Sequence, residues 1–227
     1  DLISPVFAQA KLFALTAFNT SSPRSAEAGF KYFAFGGVAS AFFVFGVSYL
    51  YGVTGTLDLA TWIEAGGVWN PMFVLGLTFV LVGMGFKVAV VPFHLWAPDV
   101  YQCAPTPVAG WVASGSKIAS VFFLVRLVDA VPGNPQTVAL ALTPLAVLAI
   151  LSMLIGNLGA LRQSSLKRLL AYASIANAGY LLIGLLALSP DGFAAALFYV
   201  VVYALANVGA FGVIGLLMDR GEGMERI

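Results

Sequence analysis

Two lysines lie inside stretches of sequence that are otherwise apolar enough to cross a membrane. Lys87 and Lys117 are 30 residues apart, and each is flanked on both sides by largely apolar residues. A charged side chain near the bilayer centre costs about 2.5–3.5 kcal/mol on insertion scales, and such residues mark transport pathways. Proton or ion movement is therefore the first chemistry that these two residues predict.

Lys87 belongs to a segment that is too long for one simple crossing. Residues 71–101 would form a continuous helix of about 46 Å, against a hydrocarbon core of about 30 Å. The glycines of Gly83-Met-Gly85 and the missing donor of Pro92 predict a break between about 83 and 92. A discontinuous membrane helix lines a cavity or an ion site. The alternative for Lys87 is a side chain that reaches the interface.

Lys117 lies ten residues past Pro107, or about 15 Å along its helix, close to the middle of the membrane. Small residues surround it and predict close helix approach and a polar lining: Ala113, Ser114, Gly115, Ser116, Ala119 and Ser120. The alternative is a structural lysine that is paired with a carboxylate on another helix.

Other polar residues offer weaker indications. His94, the only histidine, follows Lys87 by seven residues, so a continuous helix would place both on one face. Histidine relays protons near neutral pH, but a lone histidine is equally well a satisfied core residue. Asp99 is interpreted as a helix-terminal carboxylate. Three basic residues are interpreted as solvated loop charges: Arg162, Lys167 and Arg168. Contacts between helices account equally well for five further polar residues: Ser174, Asn177, Tyr199, Tyr203 and Asn207.

Composition identifies the class of protein that must position these residues. Of 227 residues, 60% are hydrophobic and 9% charged, whereas soluble domains carry about 25% charged residues. Apolar stretches long enough to span a bilayer predict an all-α integral membrane protein. We expect one transmembrane domain over 1–227 with about seven helices: 30–51, 71–91 continuing to 101, 107–128, 137–161, 167–188, 192–218 and the short 2–18, which contains Lys11.

Loop charges predict the orientation. Basic residues collect on one side of the alternating spans, and the positive-inside rule places that side in the cytoplasm, together with the carboxyl-terminal end. These residues are Arg24, Arg162, Lys167, Arg168, Arg220 and Arg226, with Lys31 close by. The opposite side carries Arg126 and the acidic residues Asp58, Glu64, Asp129 and Asp191. The chain opens without Met and ends shortly after a helix, so we expect it to be an excerpt of a longer protein.

Composition and motifs indicate no resident cofactor. The single cysteine, Cys103, cannot hold an iron–sulfur cluster, and one histidine is too few for a zinc site. A net charge of +1 gives no indication of a nucleic-acid partner. The energy for any transport must therefore come from elsewhere.

The segment around the two lysines resembles a known family. The matching sequences are Lys87-Val-Ala-Val-Val-Pro-Phe-His-Leu-Trp-Ala-Pro-Asp-Val-Tyr-Gln102, Pro105-Thr-Pro-Val108, Ser116-Lys117, Glu27-Ala-Gly-Phe-Lys-Tyr32, Ile155-Gly-Asn-Leu158, Leu166-Lys-Arg-Leu-Leu-Ala-Tyr-Ala-Ser-Ile175, Gly179-Tyr180 and Asn207-Val-Gly-Ala-Phe211. They look like the antiporter-like membrane subunits of respiratory complex I, the proton-translocating NADH-quinone oxidoreductase, and most closely the subunit N (subunit 2) branch. The resemblance covers about residues 24–220.

The resemblance implies a fold of two inverted repeats, each with a broken helix, and this chain would hold most of the first repeat and the start of the second. It implies proton transfer by Lys87 at the broken helix and by Lys117 on the next helix, with His94 and Lys31 as further polar positions. NADH, flavin, iron–sulfur clusters and quinone would reside in partner subunits. Those partners would include antiporter-like paralogues and small membrane subunits, in a bacterial inner membrane. A sodium/proton antiporter component with the same fold, or a structural scaffold, is the alternative.

This chain departs from the family at three positions. The glutamate that the family pairs with its broken-helix lysine is absent, since an ungapped comparison places Val6 there. Asp1-Leu-Ile-Ser4 resembles the corresponding family motif only with about five extra residues. Cys103 replaces a glycine, and Asn177 stands where the family commonly has a histidine.

Overall fold

The computed structural model describes residues 11–19, 22–59, 70–130 and 135–219. Six of its helices are long and apolar enough to cross a membrane, which confirms the all-α polytopic class and the six clear predicted spans. Of the seventh predicted span, residues 11–16 are helical and residues 2–10 lie outside the described part, as do Glu64, Arg220 and Arg226. The helices are α1 Pro23–Thr54, α2 Pro71–Val88, α3 Trp96–Cys103, α4 Thr106–Asp129, α5 Pro135–Leu161, α6 Leu166–Leu186 and α7 Pro190–Asp219.

Proline and its neighbours fix where the helices begin. Pro23 and Pro71 each occupy the first turn of a helix, where the missing N–H is not needed. The side chain of Asn70 accepts a hydrogen bond from the backbone N–H of Met72 at 2.9 Å and caps α2. At the other end of α1, Gly55 adopts the left-handed conformation with φ 69°, which favours glycine.

The predicted break in the long segment is present, but it begins later than the glycines suggest. Helix α2 continues through Gly83 and Gly85 to Val88, and Ala89 then turns the chain with φ 63°. Residues 89–95 form a turn-rich connection before the eight-residue helix α3. The glycines serve packing instead, because a Cβ on Gly83 would lie 2.7 Å from the Cβ of Phe43 on α1.

Two hydrogen bonds and one pair of stacked rings hold the connection in place. The indole N–H of Trp96 in α3 donates to the carbonyl of Phe86 in α2 at 3.0 Å, across the break. The backbone N–H of Val91 donates to the hydroxyl of Ser152 in α5 at 2.9 Å. The ring of Tyr32 in α1 stacks on Trp96 with centroids 4.6 Å apart. Ala89, Val90 and Val91 are buried, so protein covers the start of the irregular backbone, whereas Pro92 and Leu95 are exposed.

Close helix pairs build the rest of the bundle. Helix α1 packs along α2, α5 along α6, and α4 along α7. At the first of these contacts a Cβ on Gly46 would lie 2.6 Å from the carbonyl oxygen of Gly76, so the two backbones approach through glycine. Helix α3 lies against α1, α4 and α6. This position brings the second half of the broken helix next to the helix that carries Lys117.

Candidate functional site

Lys117 is enclosed by three helices. Its side chain is only 1% exposed. The ammonium Nζ donates to the carbonyl oxygen of Ser174 in α6 at 2.7 Å and also to the Ser174 hydroxyl. The ring of Tyr203 in α7 lies on another side, with its centroid 5.2 Å from Nζ. An aromatic face at this distance attracts a cation, more strongly when water is excluded.

A second hydroxyl extends this cluster to the broken helix. The hydroxyls of Tyr101 in α3 and Ser174 are 3.3 Å apart, and both side chains are buried. We call Lys117, Ser174, Tyr101 and Tyr203 the Lys117 cluster. Small residues around Lys117 permit this approach, as predicted. Ser116 and Ser120, two of the residues predicted to give a polar lining, line a cavity beside α4, whereas the hydroxyl of Ser114 donates to the carbonyl of Gly110 in its own helix.

Lys87, near the end of α2, faces a different side of α4 from the side on which the Lys117 cluster lies. It lines a cavity of about 420 Å³ together with Lys11, Tyr32, Ser40, Ser116 and Ser120, and the walls are mostly apolar. Lys117 instead contacts α6 and α7. The two lysines are thus both inside the bundle, but the cavity at Lys87 and the Lys117 cluster are separate features. Ser116 and Ser120 of α4 line the cavity one residue before and three residues after Lys117.

His94 lies in the 89–95 connection and is buried. Its backbone carbonyl accepts a hydrogen bond from Ala97, at the start of α3. Its ring atom Nδ1 has no hydrogen-bond partner within the ranges that the structure describes. Because the helix ends at Val88, His94 and Lys87 do not share the helix face that a continuous helix would have given them.

Lys31 lies in an ion cluster rather than beside the other lysines. Its Nζ pairs with Glu27 at 2.8 Å and with Asp99 at 3.0 Å. The other Asp99 oxygen accepts from Arg168 at 2.9 Å, and Arg168 also donates to Gln102 at 3.1 Å. The interpretation of Asp99 as a plain helix-terminal carboxylate misses these ties. The five residues Glu27, Lys31, Asp99, Gln102 and Arg168 form what we call the ion cluster.

Two residues that the sequence suggests are solvated loop charges have structural contacts. Arg168 holds Asp99, as described, and Lys167 is only 5% exposed with its Nζ 3.4 Å from the carbonyl oxygen of Ala104. Both residues lie in the first turn of α6, which begins at Leu166. That interpretation is therefore wrong for Lys167 and Arg168, while Arg162 is exposed.

The polar residues of α6 and α7 that the sequence assigns to helix–helix contacts make two kinds of hydrogen bond. Asn177 accepts a hydrogen bond from Tyr199 and so joins α6 to α7, whereas Asn207 donates to the carbonyl of Tyr203 in its own helix at 2.9 Å. Ser174 has the more specific position, in the Lys117 cluster. Its sequence signal was only a polar residue in an apolar helix. No group of acidic, histidine or cysteine side chains suitable for a metal ion occurs in the described ranges.

The comparisons with known proteins agree on one family. Residues 8–227 match the family described as NADH:quinone oxidoreductase/Mrp antiporter, TM. A relative from Acidobacterium capsulatum, named NADH-quinone oxidoreductase subunit N 2, is 49% identical over 217 residues, which cover 92% of this chain and 44% of that protein. The chain thus spans less than half the length of this relative.

Solved structures give the same result for the fold. A chain of respiratory complex I from Thermus thermophilus with bound aureothin superposes with a TM-score of 0.79 at 39% identity, over 94% of this chain and 45% of that one. A chain of the Mrp complex from Dietzia sp. gives a TM-score of 0.77 at 25% identity, over 86% of this chain and 36% of that one. This chain therefore belongs to the NADH:quinone oxidoreductase/Mrp antiporter membrane family, as the motif around its two lysines indicated.

Proposed function

We propose that this chain acts as a proton-translocating membrane subunit of an NADH-quinone oxidoreductase. The observation that carries the proposal is the environment of Lys117, which is buried against a carbonyl, a hydroxyl and an aromatic ring. No carboxylate forms an ion pair with it among the described residues. A scaffold lysine in a membrane is expected to be paired with an acid, so this arrangement favours a group that exchanges its proton.

Four residues have proposed roles in proton transfer. Lys117 holds a proton in the middle of the bundle, and Lys87 supplies the group at the broken helix that faces the 420 Å³ cavity. His94, between the two halves of that helix, and Lys31, in the ion cluster, are proposed as further transfer groups. The redox chemistry with NADH, flavin, iron–sulfur clusters and quinone belongs to partner subunits in this proposal.

The energy required of such a site is modest. Moving one elementary charge against 100 mV takes about 2.3 kcal/mol, which is within the range of one buried charge gaining or losing a close electrostatic partner. Rearrangement of neighbouring groups driven by quinone reduction in partner subunits would supply it. The proposed partners are other membrane subunits, including antiporter-like paralogues.

The proposed location is a bacterial plasma membrane, with the ion cluster and the basic loops on the cytoplasmic side. The grouping of Lys31 with Arg168, and the burial of Lys167 beside α3, support a common side for these cations. The positive-inside rule then gives that side its orientation.

The test compares two cation substitutions on the same helix in the assembled enzyme. In inverted membrane vesicles, Lys117→Ala is expected to abolish NADH-driven proton uptake and the quinone reduction coupled to it. Arg126→Ala removes an exposed cation of α4 and is expected to leave both unchanged. NADH oxidation by ferricyanide should be the same in both variants. Normal proton uptake with Lys117→Ala would refute the proposal.

A component of a multisubunit sodium/proton antiporter is the second candidate. The likeness to the Mrp complex chain favours it, because the same fold occurs there. Purification of the native complex separates the two candidates. Flavin and iron–sulfur subunits should copurify in the first case, whereas proton movement driven by a sodium gradient without NADH would support the second.

A further inference from the structure

Ser174 supplies two of the acceptors that Lys117 uses. Its carbonyl oxygen lies 2.7 Å from Nζ, and its hydroxyl oxygen also accepts from the same ammonium group. An ammonium has three N–H donors, and the face of the Tyr203 ring lies beside the group as well. One residue of α6 therefore provides both of the oxygen atoms that accept hydrogen bonds from the Lys117 ammonium.

Tyr101 gives the Ser174 hydroxyl a defined direction. A serine hydroxyl has one proton and two lone pairs. When a lone pair accepts from the Lys117 ammonium, the serine proton is available for the Tyr101 oxygen, 3.3 Å away. Tyr101 is fully buried in α3, so its ring cannot turn away without disturbing that helix. The serine lone pair is thereby directed at Lys117.

From this geometry, and resting on the proposed function, we propose that Ser174 is the positioning residue of Lys117 and that Tyr101 connects this role to the broken helix. Ser174 keeps the ammonium in one place between α4, α6 and α7. Tyr101 makes that place depend on α3, because movement of α3 away from α6 breaks the hydrogen bond between the two hydroxyls, whichever of them donates. The hydroxyl can then rotate, so that it no longer holds a lone pair toward the ammonium, and it can donate to Lys117 only when the amine is neutral.

The competing explanation is that Ser174 only joins helices. Both explanations involve the same contacts, since the serine hydroxyl reaches Lys117 in α4 and Tyr101 in α3, so measurements on variants must separate them. Ser114 offers a matched control. It is also a buried serine, 4% exposed, but its hydroxyl donates to the carbonyl of Gly110 in its own helix at 2.7 Å.

The experiment measures NADH-driven proton uptake by the assembled enzyme in membrane vesicles. Ser174→Ala is expected to slow uptake about tenfold, the equivalent of one hydrogen bond to a charged group. Ser174→Thr keeps the hydroxyl and should restore uptake to within about twofold. Ser114→Ala should behave as the unaltered enzyme. Equal losses with Ala and Thr at 174, or no loss with either, would overturn the proposal.

A second pair of measurements tests the link between Ser174 and Tyr101. Tyr101→Phe should slow uptake, and the double variant with Ser174→Ala should be no slower than Ser174→Ala alone, since the tyrosine acts through the serine. Additive losses would contradict that link. A cryo-EM map of Ser174→Ala should show the Lys117 ammonium displaced from the position that it has beside the serine hydroxyl in the unaltered enzyme. This structural readout is independent of pumping, so an undisplaced lysine overturns the positioning role even if the proposed function fails.

Discussion

Ser152→Ala should loosen the connection between the two halves of the broken helix. The backbone N–H of Val91 donates to the Ser152 hydroxyl at 2.9 Å, and both residues are buried. The substitution leaves that N–H without its acceptor inside the bundle. An unsatisfied buried donor costs about 1–3 kcal/mol. The other bond of the serine, to the carbonyl of Leu148 at 2.6 Å, matters less because that carbonyl also serves the helix.

Hydrogen–deuterium exchange of the assembled protein measures this loss where it occurs. If the penalty lowers the free energy of local opening, amides in 89–95 should exchange about 5 to 150 times faster. Ser114→Ala removes a serine hydroxyl that is bonded within its own helix, and it should leave exchange in 89–95 unchanged. Unaltered exchange in Ser152→Ala, or the same acceleration in both variants, would refute the reasoning.

Three further predictions concern substitutions of charged residues. Lys117→Arg should fail to pump in the vesicle assay, because a guanidinium keeps its proton at physiological pH; full pumping would mean that the lysine supplies only fixed charge. Asp99→Asn should lower the free energy of unfolding by about 1 kcal/mol in chemical denaturation, since its ion pairs are partly exposed; a gain in stability would contradict the role of the ion cluster. Arg24→Cys and Arg162→Cys should react with an impermeant maleimide from one side of the membrane and Asp129→Cys from the other; a different distribution would overturn the orientation.

The sequence predicts the burial of Lys117 well because the depth of a residue in the membrane follows from its distance along the helix. Ten residues of helix past Pro107 place the lysine at mid-membrane, where lipid is a poor neighbour for an ammonium. Its partners could not be predicted in the same way. Ser174 is 57 residues away along the chain, and which face of α6 meets Lys117 depends on how three helices cross. In an apolar helix Ser174 differs little from any other small polar residue.

In the broken helix, tertiary packing overrides the local helix propensity of glycine. Excess length and Pro92 correctly predict an interruption, but glycine is ambiguous because it both weakens a helix and allows close contact. Gly83 lies against α1, so packing stabilises the helix through it and the break moves to residue 89. The misassigned loop charges have a similar cause. Lys167 and Arg168 lie beside a loop, yet α3 folds back over the start of α6 and covers them.

Helix α3 provides a physical link between the surface charges and the Lys117 cluster. With eight residues it is too short to be stable alone, so its position is set by its contacts. Asp99 ties it to Arg168 and Lys31, Trp96 ties it to α2, and Tyr101 ties it to Ser174. Arg168 and Ser174 belong to the same helix, α6. A shift of α3 relative to α6 must therefore strain an ion pair or change the direction of the hydroxyl at Lys117. A change of charge at the ion cluster would in this way alter the surroundings of Lys117 through movement of α3, without a continuous chain of water.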